Sequence, residues 1–371
     1  MNFTIFNNRN GAYYPIRDDI ASKISRTLLK HGHRIVSEDN KLNFVLNLTN
    51  IKTPEFFRRR SQAVFVISVV EIKEAVENLR SVCYRTLVRS LSNLLICIVP
   101  AKEDKNSTEE SGFEIYFTTP EAGFYKIPFD LEAVYQRILP IAGAHFAIEN
   151  KLTRDLPEKY WQPSVIVRKI AHYGKFLDGL GVLPAPFPLR EVLSEEDREH
   201  LYNLFRVKGI SYGNLSARER IAELGDSTFW MTARGVNKAE LSTPGKDVLL
   251  VKGFDHETNK VLVSVPPVHD EKARVSVDAV EHELIYRTFP EVSAIVHVHA
   301  WMEGVLCTAQ NFPCGTVELA REVVGLLGQT ENPSRTAVGL KNHGLTITGK
   351  DLDEIFARIQ GKLLTQVPMF A

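Results

Sequence analysis

The chain has 371 residues, 44% hydrophobic and 24% charged, which is long enough for two domains and apolar enough for a sizeable core. Its 45 Lys and Arg balance 45 Asp and Glu, and a formal net charge of zero removes any global electrostatic case for a nucleic-acid or membrane-surface partner. The four cysteines form no C-x-x-C doublet, the N-terminus lacks the pattern of a secretory signal, and no apolar run approaches the ~20 residues of a membrane helix, so a soluble, cytoplasmic protein is expected.

In chain order, Ile20, Ile24, Leu28 and Leu29 recur at helical spacing and predict a helix over 16–32. His31 and His33 flank Gly32 at its end and read as a helix C-terminus. "KLNFVLNLT" (41–49) alternates like a half-buried strand, whereas "AVFVISVVEI" (63–72) is the unbroken run of a strand covered on both faces. Between them Arg58-Arg59-Arg60 reads as solvated surface. A helix (73–91), a strand (94–101), a polar loop (102–112), a strand pair and a long, proline-interrupted helix (130–150) follow. Gly179 and Gly181 lack the strand and the third glycine of a nucleotide-binding turn.

The proline-rich piece "VLPAPFPLREV" (182–192) predicts a linker. It divides a mixed α/β N-terminal domain, residues 1–181, of unassigned role, from a second domain, residues 193–371. Ser194 caps the first helix of that domain, and short strands, glycine turns and helices alternate beyond it.

Within the second domain, "SAIVHVHAWMEG" (293–304) sets His297 and His299 two apart in a strand, so both imidazoles project from one face. Such a pair can act as metal ligands or be two separately satisfied histidines. His343, in "LKNHGLTITG" just before Gly344, supplies a third imidazole. Three histidines with open positions are the pattern of a catalytic rather than a closed structural site. A divalent metal is expected, zinc first, with iron, cobalt or manganese as alternatives.

Together with "YGNLSAR" (212–218) and "FWMTARGVNKAEL" (229–241), these motifs resemble the class II aldolase/adducin family over about residues 193–360. Fuculose-phosphate aldolase and ribulose-phosphate 4-epimerase are among its members. The resemblance implies an α/β fold whose C-terminal domain has three α/β/α layers around a mainly antiparallel sheet, assembled as a homo-oligomer, typically a tetramer. It places His297, His299 and His343 on the family's metal ligands. Asp278, nineteen positions before His297, falls where aldolases carry a glutamate and epimerases an aspartate. There it would be the catalytic acid/base or a fourth ligand, and a plain helix cap is its alternative.

His282, one turn further, matches a histidine that would orient a ligand; a partly exposed helix histidine is the alternative. Gly213 and Asn214 match a phosphate-binding turn. Arg234, Gly235 and Ser276 fall on further anion- or substrate-binding positions, Arg234 replacing the usual hydroxyl, with a surface arginine in a tight turn as its alternative.

The sequence departs from the family in two respects that bear on chemistry. The compact stretch between His299 and His343 offers no obvious equivalent of the acid/base aspartate that the epimerases use. No tyrosine follows His343, although the sugar-phosphate enzymes draw a proton donor from that segment; Tyr212, Tyr286 or an N-terminal tyrosine are the substitutes available. The resemblance implies a metal-dependent lyase or epimerase that takes a small, anionic hydroxy-carbonyl compound, phosphorylated sugars among them, through a metal-stabilised enediolate. Two other classes stay open: an adducin-like scaffold, and an Fe(II) oxygenase or decarboxylase on the same fold.

Overall fold

The computed structural model describes residues 1–7, 14–59, 63–101, 112–121, 123–183, 194–196, 198–199 and 212–370. They form two compact units, built mainly from Met1–Gly143 and from the chain between Ala144 and Pro368. Residues 102–111 of the expected loop, 184–192 of the expected linker and most of the helix begun by Ser194 lie outside the described residues; Val182 and Leu183, expected to begin the linker, are instead buried in the core of the second unit.

The first unit is a sheet of order β2-β1-β3-β4-β5-β6-β7. Strands β1 (Asn2–Asn7), β2 (Arg34–Ile35), β3 (Phe44–Leu48), β4 (Phe65–Glu71) and β5 (Leu94–Pro100) are parallel, and β6 (Phe113–Thr118) and β7 (Phe124–Ile127) add an antiparallel edge. Every residue of β4 is buried, as expected for a strand covered on both faces; β3, expected from its alternation to be half-buried, is buried throughout as well, because it lies between β1 and β4 inside the sheet. Helices α1 (Pro15–Lys30), α2 (Leu79–Arg89) and α3 (Leu131–Ala142) complete the unit.

Both expected surface features in this unit have structural work. Arg59 is buried, donating to Asn93 Oδ1 (2.9 Å) and the Val64 carbonyl (3.0 Å) rather than being solvated. His31 ends α1 beside Gly32 (φ +80°), and its Nε2 meets Glu132 at 3.0 Å; His33 meets Tyr135 Oη at 3.1 Å.

The second unit is organised around a nine-stranded sheet of order β14-β15-β16-β13-β9-β10-β11-β12-β8. The strands are β8 (Glu149–Thr153), β9 (Asn214–Arg218), β10 (Phe229–Thr232), β11 (Val248–Asp255), β12 (Lys260–Ser264), β13 (Ala294–Val298), β14 (Leu306–Cys307), β15 (Ala337–Leu340) and β16 (Gly344–Gly349). All neighbours pair antiparallel except β14 with β15 and β8 with β12 at the two edges.

Period-2 alternation sorts the side chains into two cores. Trp230, Leu250, Val296 and Val298 pack with α4 (Val165–Gly179) and α7 (Leu352–Ile359) on one face. Phe229, Met231, Leu249, Val251 and Ile295 pack with α5 (Ala279–Thr288) and α6 (Val317–Leu327) on the other. His297 shares the parity of Ile295, so it projects toward the α5/α6 layer.

Two sequence expectations are corrected here. The helix expected over 130–150 ends at Ala142, with Gly143 at its C-cap, and Glu149–Thr153 is a strand. The domain boundary drawn at 181 moves to 143/144, because β8 pairs in register with β12 and α4 packs on the second sheet. Helix α4 buries Val167, Ile170 and Leu177 in the core on that sheet.

Candidate metal centre

Strand β13 lies between β9 and β16, and the register sets His297 opposite Asn214 on one side and Thr346 on the other. All three are buried, with His297 2% exposed. His297 Nδ1 lies 3.0 Å from the Leu345 carbonyl oxygen, so a proton on Nδ1 donates there and Nε2 is left as the lone-pair nitrogen. That Nε2 is buried with no hydrogen-bond partner.

His299 and His343 close the cluster. Their Nε2 atoms are 3.1 Å apart, and ring centroids in the triad are separated by 4.6 to 5.2 Å. One ring nitrogen from each histidine lies within 4.8 Å of the other two. Burial first, and then the neighbouring histidines, hold His299 and His343 well below the ordinary imidazole range; burial also lowers His297, against the pull of Asp278. Neutral imidazole is the form that ligates a cation.

Gly344 allows this approach. A Cβ on it would run into the Val298 carbonyl oxygen and stand 3.1 Å from His299 Cα. The glycine thus serves the contact between β16 and β13 that brings His343 beside His299. Gly213 (φ +73°) acts likewise, since a Cβ there would lie 2.6 Å from the His297 carbonyl oxygen. It leaves Tyr212 stacked on the His299 ring, centroids 4.2 Å apart and planes within 15°.

Asp278 precedes α5 but makes no side-chain cap. Its Oδ2 accepts from Asn214 Nδ2 at 2.6 Å, and its buried Oδ1 has no hydrogen-bond partner. The cap alternative is therefore not the arrangement found. Glu281 lies three residues on and is also buried, accepting from Thr346 Oγ1 at 2.6 Å. The two neighbours of His297 thus each hold one acid of α5.

Burial, and then the Asp278 charge, raise Glu281 to about 8. Unfolded, its carboxyl titrates in the ordinary range, so between there and about pH 8 unfolding releases a proton and rising pH lowers stability. Glu281→Gln keeps an acceptor for Thr346 and removes the titration. Its metal-free protein is expected to lose less of its thermal midpoint between about pH 5 and 8 than the wild type, and equal losses would contradict the assignment.

The remaining expected site residues divide. Arg234 lies partly buried beside the site, donating from Nη2 to the Ile148 carbonyl at 2.9 Å; burial, followed by the Arg274 charge, lowers it to about 10, with Asp278 opposing. Gly235 turns the chain after it at φ +67°. Ser276 is buried and its backbone N–H donates to the Thr232 carbonyl at 3.1 Å, which ties the start of α5 to the end of β10. His282 is fully buried rather than partly exposed. It meets Ser216 Oγ at 2.8 Å, and Ser216 Oγ meets Tyr286 Oη at 2.7 Å. His282 thus joins a buried chain with Tyr286, while His297 is oriented by a backbone carbonyl.

Sequence reasoning missed Lys238. It is 2% exposed, on the turn after Arg234, and its charge acts on Asp278, His297 and His299. Burial lowers it to about 8, against the attraction of Asp278. Helix α4 holds that turn in place: a Cβ on Gly174 would lie 2.5 Å from the Lys238 carbonyl oxygen. The C-terminal segment also returns to this edge of the sheet, Leu364 and Trp301 exchanging backbone hydrogen bonds of 2.8 Å each.

Three imidazoles, with the Asp278 carboxylate close to His297 and two buried orphan atoms among these residues, form a donor set suited to a divalent cation with positions left over for a substrate. Residues 200–309 match the model of the class II aldolase and adducin N-terminal domain. Methylthioribulose-1-phosphate dehydratase of Klebsiella pneumoniae subsp. pneumoniae is 26% identical over 178 residues, covering 40% of this chain and 79% of its own. Among solved structures, an L-fuculose 1-phosphate aldolase is 18% identical and covers 54% of this chain and 82% of its own, at a TM-score of 0.36. An aldolase II superfamily protein from Pseudomonas syringae is 14% identical and covers 56% and 72%, at a TM-score of 0.35.

Proposed function

We propose that the second unit is a metal-dependent lyase or epimerase acting on a small, anionic hydroxy-carbonyl compound. One observation carries the reading: three neutral imidazoles converge, two buried and that of His299 half-buried, while His297 Nε2 and Asp278 Oδ1 are left without partners. Leaving such atoms unsatisfied costs ~1–3 kcal/mol each, a cost that a cation would remove. A divalent ion held by His297, His299 and His343 would supply Lewis acidity to the substrate's carbonyl and hydroxyl oxygens.

The chain's own residues have separable tasks in this reading. Asn214 fixes one oxygen of Asp278, and the other is placed to take or return a proton. Tyr212, stacked on His299, offers a phenol beside the histidines. Lys238 and Arg234, both cationic at neutral pH or near it, would anchor the anionic tail. The dehydratase relative makes loss of water one of the reactions to be tested, beside aldol cleavage and epimerisation. A homo-oligomer, which the family resemblance implies, belongs to the same reading.

The test is turnover of methylthioribulose 1-phosphate and L-fuculose 1-phosphate by chelated protein reloaded with zinc, manganese, cobalt or Fe(II). The expected result is metal-dependent conversion of at least one compound. Asp278→Asn should lower kcat by roughly 10²–10⁴ with metal content unchanged, and Lys238→Met should raise KM. Loaded protein that converts neither compound, binding neither, would contradict the reading.

A further inference from the structure

The turn "FPCGT" (312–316) leads into α6, and Gly315 draws it inward. With φ +73°, a Cβ on Gly315 would stand 3.0 Å from the Val277 carbonyl oxygen and run into Ile148. The preceding residue is thereby carried to the centre. Cys314 Sγ lies 3.3 Å from His343 Nε2, the same nitrogen that faces His299 Nε2 at 3.1 Å. It also lies within 4.8 Å of a ring nitrogen of His297 and a carboxylate oxygen of Asp278. Two donor triads, His297–His299–His343 and Asp278–His297–Cys314, therefore share His297.

We propose that Cys314 is a thiolate ligand of this centre, giving a three-histidine, one-cysteine donor set that would admit substrate by expanding to five-coordinate. The inference rests on the metal reading above. Around a tetrahedral zinc ion, bond lengths of about 2.0–2.1 Å to nitrogen and 2.3 Å to sulfur separate two nitrogens by ~3.3 Å and a nitrogen from sulfur by ~3.6 Å. The observed 3.1 and 3.3 Å need only small outward movements to match. The orphan atoms His297 Nε2 and Asp278 Oδ1 are an independent sign that this pocket takes a ligand. On binding, the thiol proton passes to solvent and the sulfur lone pair forms the bond; no oxidant is involved. A thiolate makes the site softer, favouring zinc, cobalt or Fe(II) over magnesium and manganese. It also frees the Asp278 carboxylate for proton transfer.

The test is Co(II) titration of the chelated full-length chain, followed by absorption spectroscopy. The expected result is one equivalent bound with a sulfur-to-cobalt charge-transfer band in the near ultraviolet. That band should vanish in Cys314→Ser, with affinity lower by about tenfold or more, and persist in Cys307→Ser. Bound cobalt should also protect Cys314 of the wild type from alkylation by iodoacetamide, a readout that needs no variant. Stoichiometric cobalt without the band, and without protection, would overturn the thiolate ligand and leave the histidine centre standing. Failure to bind cobalt at all would overturn both.

Discussion

Chelated protein carrying His297→Ala and His299→Ala is expected to take up no zinc, cobalt or Fe(II), while its fold persists. The two imidazoles leave the sheet toward α5, but the core on that face is built by Ile295, Phe229, Met231 and the α5 and α6 side chains. What the fold loses is chiefly the bond between His297 and the Leu345 carbonyl, worth ~1 kcal/mol. The metal-free variant should therefore melt within several degrees of the metal-free wild type. Zinc affinity, by contrast, should fall by at least ~10³-fold, since two of the three histidine ligands are gone. Calorimetric zinc titration with thermal unfolding of both metal-free proteins checks the two halves. Collapse of the variant's fold would instead make the centre structural.

Gly344→Ala is expected to damage the centre without touching a ligand. The added Cβ would collide with the Val298 carbonyl oxygen inside the β13–β16 pairing, and main chain on both sides must give. Overpacking of this kind costs ~1–3 kcal/mol. The strands can separate only by moving His343 away from His299, so metal affinity should fall by on the order of tenfold or more, in parallel with stability. Gly325→Ala, in open space on α6, is the matched control and should leave affinity unchanged. An alanine at 344 that preserved affinity would show that the His299–His343 approach does not depend on this contact.

What was legible in the sequence followed from strictly local geometry. Strand parity put His297 and His299 on one face, and the glycine after His343 marked a close backbone approach, though its partner was the neighbouring strand. Asp278 was found through the family motif, and the structure decided between its readings by giving its carboxylate to Asn214 rather than to the helix.

The residues that escaped are those delivered by tertiary contacts. Glu281 is one helical turn from Asp278, but only the register of Thr346 opposite His297 shows that it faces the site. Lys238 arrives on a turn held by α4, an element the sequence reading assigned to the other domain. Cys314 arrives through a glycine whose φ no spacing rule discloses. In the same way, the end of α3 at Ala142 was missed because the apolar residues beyond Pro140 suit a strand as well as a helix.

The central claim is that the converging histidines hold a catalytic cation. Its most direct measurement is the metal content of the full-length chain, purified without a histidine tag and reloaded under reducing, anaerobic conditions. The account predicts close to one equivalent of zinc, iron, cobalt or manganese per chain, absent from the His297→Ala, His299→Ala variant. Less than about one tenth of an equivalent in the wild type, unrecovered by any of the four ions, would contradict it and leave an interaction scaffold as the better account.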